Sequence, residues 1–426
     1  MLNKYTDAKG VTTLRNYDIL GNLLDETDGN GNKTSYEYDA LYRLINTTAP
    51  DGGKQEFLYD TASQLVKFKD ALGNITQYGY DANGNLTSLT NPNGGVYSYT
   101  YNKDNYQTTI TDPLENVTAS IYDLAGRLTK KTLPNNAEYT YSYDAIGRII
   151  AQTAPEGLSK AYTYDEAGNL ASETDQSNRT TSYTYDIMHR LTSSTNAKGA
   201  ATTLTYDNRG NLSTITSPKG NKTTYTYDAI DRISKTLDPV GRVEEYTYDP
   251  VGNVTEITKN GGRAYSYTYD NVGNLTSAKN PMEQVQSFTY DSMNRLTSET
   301  DLAGKKTSYT YDLNGQLTSV TDRNNAVTSY TYDANGNITS ITDPENRKIS
   351  YTYDLLDRIT KVTEGETQTA AYEYDSVGNL TKYIDGNNKT TTYTYNKLGE
   401  MTSITDPLGK VKEFSYNVNA MLDTVT

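Results

Sequence analysis

The chain has no cysteine, no tryptophan, one histidine and only four phenylalanines in 426 residues. Without cysteine there are no disulfides and no thiolate metal sites, an absence that fits the cytosol and bacterial surface proteins equally. A single histidine excludes a His-dependent triad and a multi-histidine zinc site. Leu, Ile, Val and Phe together make up about 17% of the chain, which beside a net charge of −14 would by itself suggest disorder. No apolar run approaches the ~18 residues of a membrane span. Met1-Leu2-Asn3-Lys4-Tyr5 carries no apolar signal segment. The acidic balance, with no basic patch, disfavours nucleic-acid partners.

Tyrosine fills the apolar deficit. There are 41 of them, each with a ring to bury and a hydroxyl to satisfy, and they are periodic. A Tyr-Asp or Tyr-Asn pair begins at Tyr17, Tyr38, Tyr59, Tyr80, Tyr101, Tyr122, Tyr143, Tyr164, Tyr185, Tyr206, Tyr227, Tyr248, Tyr269, Tyr290, Tyr311, Tyr332, Tyr353, Tyr374, Tyr395 and Tyr416, always 21 residues apart. Repeats of this kind are sought before anything else, because they set the architecture. Residues 1–426 therefore read as one continuous array of 20 repeats. Leu2, Asp7 and Gly10 occupy repeat positions, and the chain stops after Leu422 and Val425, so the array is expected to be truncated at both ends.

One unit shows the local structure. Thr328-Ser329-Tyr330-Thr331-Tyr332 is β-branched and aromatic, which is strand chemistry, with Tyr330 and Tyr332 on one face because strand side chains alternate. Asp333-Ala334-Asn335-Gly336-Asn337 reads as a tight turn, Ile338 to Thr342 as a second strand, and Asp343-Pro344-Glu345-Asn346 as a second turn. Four residues after the repeat tyrosine, 12 of 20 units carry Gly; the others carry Tyr42, Ser63, Asn105, His189, Asp231, Asn294, Asp357 and Ala420. Five of those eight are Asn, Asp or His, the residues most tolerant of a left-handed backbone, so this position is expected to need φ > 0. Fourteen residues after the tyrosine, 17 of 20 positions are Gly or Asn, the exceptions being Glu115, Glu283 and Thr367. Ten of the eleven prolines lie two residues before that position, leaving Pro250 out of register; this is turn chemistry.

Two short strands and two tight turns per repeat predict an all-β fold of antiparallel β-hairpins in a meander. The alternative is a parallel β-solenoid with one coil per repeat, stacking tyrosines at about 4.8 Å. Open twisted sheets rarely exceed ~10 strands, so about forty must curl. The expected result is a spiralling, hollow β-sheet shell.

Tyr162-Thr163-Tyr164-Asp165-Glu166-Ala167-Gly168-Asn169-Leu170, and Tyr141 to Ile149 with Gly147-Arg148, resemble the signature of the Rhs or YD-repeat family. The resemblance covers the whole chain in one register. It implies a spiral shell that commonly surrounds a toxic C-terminal polypeptide in bacterial polymorphic toxins and insecticidal toxin complexes. Related repeats build the extracellular part of teneurin adhesion receptors. The core segment that ends many such shells, with its self-cleavage aspartates, has no match; Asp406-Pro407-Leu408-Gly409 is only the repeat turn.

The residues that could carry chemistry are repeated ones. The Asp after each tyrosine, replaced by Asn102, Asn396 and Asn417, could form a calcium ladder or accept N–H groups of its own turn. Because Asn substitutes for it, the turn reading is preferred. His189 occupies the left-handed turn position, which argues for a turn residue rather than a base. Arg43, Arg127, Arg148, Arg190, Arg232, Arg295 and Arg358 follow that position; they could pair with carboxylates of the next hairpin or bind an anion. Asn fills the same place in eight units, which favours a shared structural role. Tyrosines could form the core or a binding face, and the core is favoured. A catalytic site needs unique residues, and here nearly every carboxylate is one of twenty equivalents. No catalytic, metal or cofactor residue is assigned, and the chain is read as non-catalytic.

The expected function is a segment of a shell that encloses or presents a toxin or effector polypeptide, secreted or at a bacterial cell surface. A surface adhesin or carbohydrate-binding array is one alternative, with a glycan partner. A fibre or tube that self-associates through uncapped ends is the other. Neither nucleic-acid binding nor membrane insertion is expected.

Overall fold

Threonine, serine and tyrosine alternate along the predicted strands, and those segments extend as predicted. The computed structural model describes residues 3–260, 262–417 and 419–426; Leu2 lies outside them. Among the described residues there are 41 strands and one short 3-10 turn, Pro155–Gly157. No helix there is long and apolar enough to cross a membrane.

The strand Val327–Tyr332 shows the pairing. On one side it runs antiparallel to Leu317–Thr321, with Ser319 opposite Ser329 and Val320 opposite Thr328. On the other it runs antiparallel to Ile338–Thr342, with Tyr330 opposite Ile341. The same meander holds for hairpins from Lys4–Thr6 to Leu422–Val425. These antiparallel pairings decide against the parallel solenoid, because turns of a few residues can join only antiparallel neighbours.

Both turns of a repeat are built alike, as their shared Gly and Asn positions predict. In the first, Asp333 N–H donates to Asn337 O (2.9 Å) and Gly336 N–H to Asp333 O (3.1 Å). In the second, Asp322 N–H donates to Ala326 O (2.9 Å) and Asn325 N–H to Asp322 O (2.9 Å). The fourth residue of each turn must then take a positive φ. All twenty first-turn positions do, from 57° at Ala420 to 103° at Gly252, including all eight non-glycine residues. Nineteen of twenty second-turn positions agree. The exception is Thr367, which lies in the strand Thr367–Tyr374 because its hairpin closes more tightly, around Gly365 at φ 57°.

Gly378 (φ +94°) has open space where a side chain would go, so substitution there isolates the backbone term. Gly378→Val is expected to lower stability by at least about 1 kcal/mol more than Gly378→Asn, because a β-branched residue resists this conformation. Urea melts of the two variants check this; equal midpoints would remove the requirement for positive φ.

A β-bulge recurs beside the repeat tyrosine. Thr331 faces Ser340 but Tyr332 faces Ile338, leaving Thr339 as an extra residue on its strand. The same slip occurs at Tyr101, Tyr185, Tyr290 and Tyr395. Thr331 Oγ1 lies 2.8 Å from Thr339 Oγ1 and 2.7 Å from Ser340 Oγ, so hydroxyls bridge the interruption. A bulge bends its strand and sharpens the right-handed twist. Repeated in one register, it adds a bend of one sense per repeat.

The chain forms two compact units. One contains residues up to Tyr78, Asn91–Asn93 and Thr223–Lys348; the other contains Gly79–Thr90, Gly94–Lys222 and Ile349–Thr426. Each brings together turns about 240 residues apart. In the first unit, Asn30 Nδ2 donates to Asp270 Oδ2 (3.0 Å), Asn271 Nδ2 to Gly29 O (3.0 Å), Asn93 Nδ2 to Asp333 Oδ2 (3.0 Å) and Asn314 Nδ2 to Asp70 Oδ2 (2.6 Å). Lys9 Nζ lies 2.8 Å from Asp249 Oδ2, and Arg295 3.1 Å from Asp51 Oδ2. In the second unit, Ser177 Oγ lies 2.7 Å from Asn419 Oδ1, to which Arg179 also donates (3.1 Å). Second turns of early repeats thus meet first turns of late ones.

No large side chain is fully buried among the described residues. The repeat tyrosines are half-buried, so the expected tyrosine core is a lateral one. Rings pack against neighbours in the same layer, as where Tyr106 stacks on Tyr122 (5.2 Å) and Tyr372 meets Tyr383 (5.6 Å).

Candidate functional site

From Tyr101 onward, repeat tyrosines reach back to the preceding hairpin through their hydroxyls. Tyr332 OH donates to Leu317 O at 2.7 Å. The same bond, fifteen residues back, forms at Tyr101, Tyr143, Tyr185, Tyr248, Tyr290, Tyr374 and Tyr416 at 2.6–3.1 Å. Its acceptor begins the strand beside the bulge, where the ladder is interrupted and a carbonyl needs another donor. Burial pushes the Tyr332 hydroxyl above its ordinary value, with Asp312 and Tyr330 adding to it.

The aspartates face their own turns. Asp333 Oδ1 accepts N–H groups from Asn335 and Asn337 (both 2.9 Å), while Oδ2 accepts Asn337 Nδ2 (3.0 Å). Asn396 Oδ1 accepts Leu398 and Glu400 N–H groups (3.0 Å each), which is how Asn replaces Asp. Asn102 and Asn417 do the same. Burial would raise the Asp333 carboxyl, but the Asn337 amide and backbone N–H groups hold it below the ordinary range.

The arginines correct one expectation. They pair with the carboxylate of their own turn, not of the next hairpin, because the i,i+4 spacing already closes that ring. Arg358 Nε donates to Asp354 Oδ2 (2.7 Å). What reaches the next hairpin is the rest of the guanidinium: Nη1 donates to Asp375 O (3.2 Å), and the carbon lies 4.7 Å from the Tyr374 ring centre. All seven arginines cover the following repeat's tyrosine in this way, at 4.3–5.1 Å. Where Asn takes the position it links forward by its amide, as Asn85 does to Asn105 (2.8 Å) and Asn274 to Asn294 (2.9 Å). His189 (φ 62°) stands at the far end of such a link with the direction reversed: its Nδ1–H donates to Asn169 Oδ1 at 2.9 Å. Arg358→Lys keeps the charge but loses the planar fork over Tyr374. It is expected to destabilise by about 1 kcal/mol in urea melts; an unchanged midpoint would remove the stack from the account.

A depression of about 320 Å³ in the second unit is lined by Lys160, Glu173, Asp175, Arg179 and Lys198, among others. Arg179 lies 2.7 Å from Asp175 and Lys160 3.7 Å from Glu173, so four of these charges are paired with one another. The chemistry of the surface is therefore the same tyrosine, aspartate and arginine contact, repeated from hairpin to hairpin.

The family model for the teneurin YD-shell matches residues 97–242 and 288–417. The model for the RHS repeat matches residues 17–54, 59–96 and 248–281. No curated protein matches the chain. Among solved structures it is similar to the crystal structure of TcdB2-TccC3-TEV, with 14% identity, covering 95% of this chain and 29% of that one at a TM-score of 0.66. It also aligns with the Tc holotoxin pore of Photorhabdus luminescens carrying a TccC3 mutation, with 15% identity, covering 97% of this chain and 32% of that one at a TM-score of 0.46. The chain spans less than a third of the length of either solved chain.

Proposed function

The chain belongs to the teneurin YD-shell family, and from that premise we propose that it is a stretch of shell wall: a non-catalytic scaffold that curves around an interior and encloses a toxin or effector polypeptide. One observation carries this reading. The same bulge and the same hydroxyl-to-carbonyl bond recur from repeat to repeat, and a bulge repeated in one register favours bending in one sense. A sheet this wide that bends one way bounds a space too large for side chains to fill. The fold shared with the TcdB2-TccC3-TEV structure supports the wall. The cargo follows from the Rhs and YD-repeat resemblance, and with it a secreted or cell-surface location.

A second reading, surface display to glycans, draws support from tyrosine rings that are half-buried rather than covered. Protease treatment of the protein isolated from its natural source separates the two. A shell keeps an associated non-repeat polypeptide intact until acid or urea opens the array. Rapid loss of that polypeptide while the array survives, together with saturable glycan binding, would replace the shell with the display reading.

A further inference from the structure

Tyr372 and Tyr383 stand directly opposite each other on the antiparallel strands Thr367–Tyr374 and Leu380–Asp385, both in the second unit. Their ring centres are 5.6 Å apart and the ring planes meet at 42°, within the range of a packed aromatic pair. Tyr372 is the aromatic residue two places before a repeat tyrosine. In other repeats that ring can face an aliphatic side chain: Val320 opposite Tyr309, Ile341 opposite Tyr330, Ile404 opposite Tyr393. Tyr383 is the one tyrosine that holds this facing place in the array. Phe57 and Phe68 occupy the same two places and take the same arrangement, 5.3 Å apart at 42°. The geometry therefore belongs to the register of the strands and not to the hydroxyls. Both tyrosines are half-buried, so water and small solutes reach them. The chain has no cysteine and no tryptophan, the two other side chains that give up one electron most readily, which leaves tyrosine to carry a radical formed on this protein.

We propose that Tyr372 and Tyr383 are a site of oxidative modification, at which one-electron oxidation joins the two rings covalently across the hairpin. Burial, with Tyr383 adding to it, holds the Tyr372 hydroxyl above its ordinary value, so the phenol loses a proton together with its electron. Each ring becomes a phenoxyl radical in this way. The two radicals couple through the ring carbons beside the oxygens, one carbon–carbon bond forms, and the hydrogens of the joined carbons move to the oxygens to restore both phenols. The net loss is two electrons and two protons. One hydrogen peroxide, acting through a haem catalyst that removes electrons singly, accepts them and leaves as two waters. The strands already hold the rings in contact, so the bond forms without a change of register. The link does for this hairpin what a disulfide does in a chain that has cysteines: it closes a loop in the unfolded state and removes part of its freedom.

Treatment of the whole chain with hydrogen peroxide and a haem peptide, followed by mass spectrometry, tests this. Cleavage after lysine and arginine places the two tyrosines in separate segments, Val362–Lys382 and Tyr383–Lys389. The link then appears as those segments joined and lighter by two hydrogens, with fragment masses placing the bond at Tyr372 rather than Tyr374. It is expected in the native chain, absent from Tyr372→Phe and from Tyr383→Phe, and lost when oxidation is carried out in urea. Phenylalanine keeps the ring pair, as Phe57 and Phe68 show, so both variants should fold as the parent does. After oxidation, the parent alone should show slower hydrogen exchange along Thr367–Tyr374 and Leu380–Asp385. A native chain that yields no such joined pair, a bond from Tyr383 to Tyr374 instead, or joins only between separate chains would each overturn the proposal. So would an equal yield in urea, which would make the link a consequence of nearness in sequence and not of the fold.

Discussion

Tyr332→Ala is expected to destabilise the array by about 2–4 kcal/mol, and Tyr332→Phe by about 1 kcal/mol. The difference separates two roles of one side chain. Phenylalanine keeps the ring against the preceding hairpin but leaves Leu317 O without its 2.7 Å donor beside the bulge. Alanine also removes the ring. The loss is larger than a half-buried residue suggests because the bond joins one repeat to the last. In arrays of this kind stability is roughly a sum of unit terms and neighbour terms, and the tyrosine belongs to the neighbour term. Urea melts and hydrogen exchange at Leu317–Thr321 and Val327–Tyr332 check it. Equal effects of the two substitutions would assign all the stabilisation to the hydroxyl and none to the ring.

Acid is expected to unfold the array between pH 4 and pH 2. Burial would raise the Asp249 carboxyl, but the Lys9 ammonium and the Asn253 amide and N–H hold it down at about 2, against an ordinary value of 3.8. Asp123, Asp186 and Asp228 are also lowered, held chiefly by the Arg127, Arg190 and Arg232 of their own turns. Each folded value lies below the unfolded one. The stabilisation is therefore complete above the unfolded value and is lost as pH falls through the folded one. Each turn is solvated and contributes modestly, but the turns recur and titrate in one window. Melting temperatures should be level from pH 7 to pH 5 and fall steeply below pH 4. A melting temperature unchanged at pH 2 would mean that the carboxylates do not hold the turns.

The turns were legible in the sequence because a positive φ leaves a chemical trace. Tyr42, Ser63 and Ala420 fit the position poorly by type, yet they sit among enough Gly, Asn and Asp to be read by register, and their φ values of 57–65° agree. Asp333 was legible as a turn residue because Asn102, Asn396 and Asn417 replace its analogues. The bulge was not legible. Thr339 is an ordinary strand residue by composition, and only the pairing of Tyr332 with Ile338 shows it to be supernumerary. The partner of the arginines was misplaced by one hairpin, since a sequence gives spacing but not the direction in which a long side chain lies. The meeting of turns such as Asn30 with Asp270 joins residues 240 apart in sequence, which no local pattern encodes.

The proposed shell requires a wall one sheet thick that bends one way and leaves its inner side open. An electron cryomicroscopy reconstruction of the purified chain tests this most directly. It should show a single curved layer of strands, about 4.8 Å apart, around a space large enough to hold a polypeptide. A filled body, in which a second layer covers the tyrosines, or a flat ribbon with no enclosed space, would contradict it.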